Sequence, residues 1–230
     1  MKDRIQSANH ARDTLADSID WNYKSDARLD AVSKSIATSN IENTVNDTIV
    51  IVDPAMADKG KLYSLFDKNF PKKMRELCEI ADVIVPNLTE AKLLLGEEYT
   101  GDHVDDLEAR AILKRLSNSL NVSETVLTGV GFKDFTGNDS YGAASYNKID
   151  GRFSIYGEEK IANMYHGTGD VWASVFTAAL VKGKPIAEAV KIAVHFTKES
   201  IRRSFEGDAD NRYGVNFEEG LGDLAKQLAD

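Results

Sequence analysis

The sequence predicts an α/β protein, a three-layer α/β/α sandwich around a mostly parallel sheet, and three observations carry that expectation. Short β-branched runs at Ile49-Val50-Ile51-Val52, Val83-Ile84-Val85 and Thr125-Val126-Leu127-Thr128 lack the alternation of a half-solvated sheet, as suits strands buried on both faces. Each ends in polar or turn-forming residues: Asp53-Pro54, Pro86-Asn87 and Gly129. Helical patterns lie between them, and alternating strand and helix builds right-handed βαβ units.

The elements follow in order. Residues 1–46 mix Asp, Ser, Asn, Lys and Arg without glycine or proline. Ala11 to Ile19 and Leu29 to Ile36 suggest short helices there, with Trp21 and Tyr23 as anchors. This segment is read as a divergent N-terminal region, and residues 47–230 as a single α/β domain. After the first strand, Phe70 to Ile80 reads as a helix with Pro71 in its first turn. Asp105 to Leu120 is another, with Ile112, Leu116 and Leu120 on one face. Tyr141 to Tyr146 and Phe153 to Tyr156 flank Asp150-Gly151, which signals an antiparallel hairpin. Two long helices complete the pattern, Asp170 to Val181 and Pro185 to about Phe205. The second carries an apolar stripe of Ile186, Ala189, Val190, Ala193 and Val194.

Composition narrows the function. The 230 residues carry a formal charge of −9, which argues against a nucleic-acid groove or an anionic membrane as partner. No apolar run approaches the roughly 18 residues of a membrane span, and the N-terminus lacks a signal-peptide core, so a cytoplasmic protein is expected. Cys78 is the single cysteine, which excludes an intrachain disulfide and a cysteine-based zinc cluster. With Leu77 and Ile80 beside it, it reads as a small buried hydrophobe. The four histidines are scattered without a metal-ligand pair, and His195 falls on an apolar helix as a packed or boundary residue. P-loop, G-x-S-x-G and G-x-G-x-x-G patterns are absent.

Chemistry concentrates at His166-Gly167-Thr168-Gly169-Asp170, directly before an apolar helix. Glycines there let backbone N–H groups converge on a ligand, and the helix start adds unpaired donors and a positive dipole end that suit a phosphate. A carboxylate beside an anion site repels the anion unless it has a task, such as taking a proton from an attacking hydroxyl. The alternative is that Asp170 only caps the helix, which stabilises it by about 1 kcal/mol. Asp53 ends the first strand, and Asn87 with Glu90 follows the second. In a parallel sheet those ends share one edge, where they could converge on the loop before Asp170 and hold Mg²⁺ beside nucleotide phosphates. Alternatively, Asp53-Pro54 is a turn and Asn87 to Glu90 a capping box.

Together these motifs resemble the pyridoxal (vitamin B6) kinases of the ribokinase-like superfamily. Asp53-Pro54-Ala55-Met56-Ala57-Asp58-Lys59-Gly60-Lys61-Leu62-Tyr63 resembles their D-P-V-M-x-D-x-G-K-L-Y segment, and Val85-Pro86-Asn87-Leu88-Thr89-Glu90 their P-N-x-x-E motif. Gly167-Thr168-Gly169-Asp170 resembles their anion hole and catalytic aspartate, and Tyr213 to Glu218 their C-terminal segment. The resemblance runs from about Thr48 to the end. It implies ATP-dependent phosphorylation of the 5′-hydroxymethyl group of pyridoxal, pyridoxamine or pyridoxine, with Asp170 as general base and Gly167, Thr168 and Gly169 donating to the transferring phosphoryl group. It further implies that Asp53, Glu90 and Asn87 organise Mg²⁺–ATP, with Asp53 and Glu90 toward the metal. Val85 would line the nucleotide cleft, Thr128 and Gly129 would border it, and the chain would form a homodimer. The sequence departs from the family at its N-terminus. The usual first strands, glycine loop and flap over the pyridine ring are missing, and the Y-x-G-x-L-G-S stretch aligns only weakly with Ser33 to Ser39. That departure leaves two other readings open: a catalytically impaired or engineered nucleotide-binding remnant, and a kinase of a hydroxymethylpyrimidine.

Overall fold

The computed structural model describes residues 49–101, 103–133, 137–161, 165–207 and 214–229. The helices expected within residues 1–46, and the Ser33 to Ser39 alignment, lie outside the described residues.

Two of the three sequence-predicted strands open the sheet. β1 (Ile51–Val52) leads through a small two-stranded ribbon, β2 (Ala57–Asp58) and β3 (Lys61–Leu62), into helix α1 (Phe70–Cys78). β4 (Val83–Ile84) is followed by α2 (Leu88–Leu95) and α3 (Asp106–Leu120), which return the chain to β5 (Glu124–Lys133). A meander of β6 (Asp139–Asn147) and β7 (Phe153–Glu159) precedes the long pair α4 (Thr168–Val181) and α5 (Ile186–Glu206). A 3₁₀ turn (Glu218–Gly220) and α6 (Leu221–Ala229) close the described chain.

The five-stranded sheet has the order β1-β4-β5-β6-β7. β1/β4 and β4/β5 pair in parallel, whereas β5/β6 and β6/β7 pair antiparallel. The sheet is therefore mixed: β6 alone runs against the other four strands. Side-chain alternation divides the core. Val52, Ile84, Leu127 and Ala144 face α1, α2 and α3, while their neighbours Val83, Val126 and Ala143 face α4, α5 and α6. Both faces being covered explains why the strands read as unbroken apolar runs. Trp172 and Phe176 of α4 stack with ring centroids 4.9 Å apart in the second layer.

Helix boundaries follow local chemistry. Asp105 caps α3 by accepting from Glu108 N at 2.7 Å, and Asn121 ends it in the left-handed region. Pro71 sits in the first turn of α1, where its missing N–H costs nothing. Two departures from the sequence reading are instructive. β5 does not stop at Gly129: it continues to Lys133, with an irregularity between Leu127 and Val130 where Gly129 takes φ +62°. The glycine absorbs a bulge, and β6 then supplies partners for the rest of the strand. The chain beyond Phe205, past the two long helices that complete the sequence pattern, contains α6, whose Leu224 is buried in the second layer. The β2–β3 ribbon carries no alternation long enough to be seen in the sequence. Among the described residues no helix is long and apolar enough to cross a membrane.

At the end of the sheet opposite the strand termini that carry Asp53 and Asn87, Glu124 begins β5. Its Oε1 accepts from Asn147 Nδ2, and its Oε2 is buried without a hydrogen-bond partner. Burial pushes its carboxyl up to about 7, with Asn147 opposing the shift. A folded-state value above the unfolded one means the native protein binds this proton more tightly. Glu124 therefore favours the fold fully below its unfolded value and loses that contribution as pH rises through about 7. Glu124→Gln should keep the Asn147 bond without the charge, so its melting temperature relative to the parent rises between pH 5 and pH 8. A constant difference across that range would place the proton elsewhere.

Candidate active site

Three parallel strand ends lie side by side. Val52 delivers Asp53, Ile84 delivers Pro86-Asn87, and an isolated parallel bridge joins Asn87 to Thr128, whose N–H donates to Pro86 O at 2.9 Å. Asn87, Glu90, Thr128 and Gly129 therefore come together at the edge the sequence predicts. Val85 sits among them in the chain, but its side chain is buried in the α4 layer with Val83 and Trp172. Gly129 lies under Tyr141, whose hydroxyl would stand 3.2 Å from a Cβ built there.

Asn87 and Glu90 form a full capping box: Asn87 accepts from Glu90 N at 2.9 Å and Glu90 Oε2 accepts from Asn87 N at 2.8 Å. The box also reaches outside its own helix. Glu90 Oε1 accepts from Met56 N at 3.0 Å and Ala57 N at 3.4 Å, while Asn87 Nδ2 donates to Ala57 O at 2.8 Å. Both readings of the motif are thus realised at one place, a helix start that also fixes the loop leaving β1. Glu90 is only 3% exposed. Burial pushes its carboxyl up to about 7 against the pull of these amides, and Asp53 adds to the rise. Asp53 itself opens to solvent, but the protein packed around the strand end and the charge of Asp170 raise its carboxyl to about 6. Asp170 is thus near enough for its charge to act on Asp53.

Asp170 lies in the first turn of α4 and is exposed. Gly167 is the N-cap, at φ +78°, and no side chain caps the helix. The aspartate is therefore not the cap. The first intrahelical bond runs from Val171 N to Gly167 O at 3.0 Å, so the amides of Thr168, Gly169 and Asp170 lack helix partners. Positive φ at Gly167 and open space around its Cβ position and that of Gly169 keep this turn accessible. The arrangement suits an anion held by backbone amides, with a carboxylate alongside.

Other features were not legible in sequence. Tyr63, at the exit of β3, faces the same charges: burial, then Glu90, Asp58, Asp53 and Asp170, raise its phenol pKa. Gly214 passes His166 O, and the following residues are tied to α5 by Ser204 Oγ, which accepts from Asn216 N at 2.7 Å, and by Arg203 Nε, which donates to Asn216 O at 3.1 Å. Such long-range bonds have no local signature. Tyr213, quoted in the C-terminal motif, lies outside the described residues. Cys78 is fully buried, and burial pushes its thiol up to about 12, which suits an inert core residue. His195 bonds Glu158 of β7 at 2.9 Å and takes no part in the site.

A divalent cation would find Asp53 as an open carboxylate, whereas both Glu90 oxygens already serve amides. Among the described residues no group of three or more ligating side chains forms a ready-made cage. That donor set fits Mg²⁺, which usually takes one or two carboxylates and completes its shell with water and phosphate oxygens. The geometry also predicts the effect of Glu90→Gln. An amide nitrogen cannot accept from Met56 or Asn87, so one backbone donor is orphaned and stability should fall by about 1–3 kcal/mol in chemical denaturation. An unchanged midpoint would show that Glu90 does not anchor the loop.

A sequence model of the phosphomethylpyrimidine kinase family matches residues 27–213. A hydroxymethylpyrimidine/phosphomethylpyrimidine kinase of Staphylococcus aureus (strain MRSA252) is 31% identical over 176 residues, covering 73% of this chain and 60% of that protein. A pyridoxine kinase of Bacillus subtilis (strain 168) is 28% identical over 179 residues, covering 77% and 60%. This chain thus spans about 60% of the length of these relatives. Among solved structures, a candidate phosphomethylpyrimidine kinase from Bacteroides thetaiotaomicron, crystallised with pyridoxal, superposes with a TM-score of 0.77 at 32% identity, covering 87% of this chain and 68% of that one. With the strand-end acids, the capping box and the Gly-Thr-Gly-Asp turn placed as described, the chain belongs to the phosphomethylpyrimidine kinase family, which shares its ribokinase-like fold with the pyridoxal kinases.

Proposed function

We propose that this protein is an ATP-dependent kinase that phosphorylates the hydroxymethyl group of a small heteroaromatic alcohol, with a B6 vitamer as its substrate. The observation that carries this reading is the uncapped start of α4, where an exposed Asp170 stands beside amides without helix partners and is near enough for its charge to act on Asp53. Open space at the Cβ positions of Gly167 and Gly169 leaves those amides accessible to an anion.

In this reading the substrate hydroxyl gives its proton to the Asp170 carboxylate as its oxygen attacks the γ-phosphorus. The new O–P bond forms while the bond to the ADP oxygen breaks. Amides of the Gly167-Thr168-Gly169 turn would donate to the equatorial oxygens and stabilise their charge, fixed in place before the reaction. Asp53 would hold Mg²⁺, with Glu90 acting on it through the loop it anchors; when bound, the cation neutralises phosphate charge there. Asn87, Val85, Thr128 and Gly129 would form the nucleotide side of the cleft, Val85 through its backbone. The family resemblance further implies a homodimer. The B6 assignment is supported by the D-P-x-M segment and by the pyridoxal-bound relative. A hydroxymethylpyrimidine is the second reading, supported by the family match and the Staphylococcus relative.

Pyridoxal, pyridoxine and hydroxymethylpyrimidine offered in parallel with Mg²⁺–ATP should give a phosphorylated B6 vitamer. Asp170→Ala should lower turnover by about 10²–10⁴-fold without changing the melting temperature. Product formed only from the pyrimidine would move the assignment to the second reading, and equal turnover in the variant would remove Asp170 as the base. Saturating Mg²⁺–ATP, at about a hundred times its Kd, should stabilise the protein by about 2.7 kcal/mol, and no thermal shift would count against the nucleotide cleft. The kcat/KM for Mg²⁺–ATP, which reports the free enzyme, should rise with pH through about 6, where Asp53 ionises. A kcat/KM that is flat between pH 5 and 7 and unchanged in Asp53→Asn would count against that role.

A further inference from the structure

The β2–β3 ribbon is a two-residue hairpin, with Ala57 opposite Leu62 and Asp58 opposite Lys61. Its turn places Lys59 at φ +48° and Gly60 at φ +76°. Two successive left-handed residues match the twist of the flanking strands, but a lysine there is uncommon and persists only when its surroundings hold it. The root of the hairpin is fastened by Glu90 and Asn87, through Met56 N, Ala57 N and Ala57 O. The tip is fastened separately. Gly60 N donates to Thr89 Oγ1 at 3.0 Å, and the Tyr99 ring lies so close that a Cβ on Gly60 would meet it at 2.8 Å. Thr89 is 2% exposed, so its hydroxyl cannot drift to another partner without opening the core.

A hairpin held only at its root can pivot; held at root and tip, it has one angle. That angle matters because the hairpin follows directly on Asp53, its root is tied to Asn87 and Glu90, and the strand leaving it carries Tyr63, whose N–H donates to Met56 O at 2.9 Å. All three fastening side chains, Asn87, Thr89 and Glu90, come from the start of one helix. We propose that Thr89 is a positioning residue: by accepting from Gly60 N–H it sets the angle of the β2–β3 hairpin and so the placement of the loop that leaves Asp53 beside Asn87 and Glu90. The inference rests on the kinase reading for the ligand at that loop, while the clamp itself is a property of the chain. Asp170 and the amides of α4 belong to another element. Loss of the clamp therefore weakens nucleotide binding more than the chemical step.

Thr89→Val keeps the volume and removes the acceptor, whereas Thr89→Ser keeps the acceptor. The exposed Lys59 and Lys61 flank Gly60 and make trypsin a direct probe of the tip. In Thr89→Val, trypsin cleavage after Lys59 and Lys61 should accelerate about tenfold, the effect of one lost hydrogen bond on local opening, and Thr89→Ser should restore protection. The KM for Mg²⁺–ATP should rise by about three- to tenfold in the valine variant, with kcat within about twofold of the parent, because uniform binding is what is lost. Cleavage that accelerates equally at lysines throughout the chain would overturn the clamp in favour of a general packing role. Unchanged KM despite a loosened tip, or failure of serine to rescue, would overturn the positioning role. A parent protein without turnover on any of the alcohols would remove the kinase reading alone, and the trypsin pattern would still decide the clamp.

Discussion

A buried carboxylate organises the functional end of this protein. Glu90, in the first turn of α2, accepts from Asn87, Met56 and Ala57 amides, and so joins the end of β4 to the loop leaving β1. Buried charge without partners is costly, and three aligned amides are the means by which this one is accommodated. Asn87 completes the junction with its own bonds to Glu90 N and Ala57 O. Because β1 and β4 are only two residues long as strands, their relative placement beyond the sheet depends on this junction more than on the ladder.

The site built on that junction is electrostatically unusual. Asp53 and Glu90 both hold protons more tightly than free carboxyls, and Asp53 is pushed that way partly by Asp170. Acidic groups raise one another when no cation stands between them. The start of α4 presents amides without helix partners and the positive end of a helix dipole. In the proposed reading these supply an anion-binding half and the carboxylates a cation-seeking half, the pairing a metal-bound phosphate requires. With −9 overall, any attraction for a nucleotide has to come from local groups such as these amides and a bound cation.

Much of the fold was written in local patterns. Unalternating β-branched runs announced a sheet covered on both faces, and the caps at Asp105 and Asn87 were visible because a side chain and the amide it satisfies lie three residues apart. The bulge at Gly129 escaped that reading, since a glycine after an apolar run equally marks a strand end; only the partner strand β6 decides that β5 continues. The β2–β3 hairpin escaped for a related reason. Its strands are too short to show a period, and its stability comes from α2, some thirty residues away in the chain.

The sequence by itself marked the residues to which the proposed chemistry is assigned: the Gly-Thr-Gly-Asp turn, the strand-end aspartate and the Asn-x-x-Glu start of α2 are legible because each needs particular residue types at fixed spacing. Tertiary structure alone decided how those residues divide the work. It showed that Gly167 rather than Asp170 occupies the N-cap position of α4 and that no side chain caps it, that Glu90 spends both oxygens on backbone amides while Asp53 stays open, and that Thr89 reaches a glycine across the fold. Spacing along a chain specifies what a helix turn or a strand end can offer. Burial and long-range hydrogen bonds, which depend on how the layers pack, determine which of those offers remains free for a ligand.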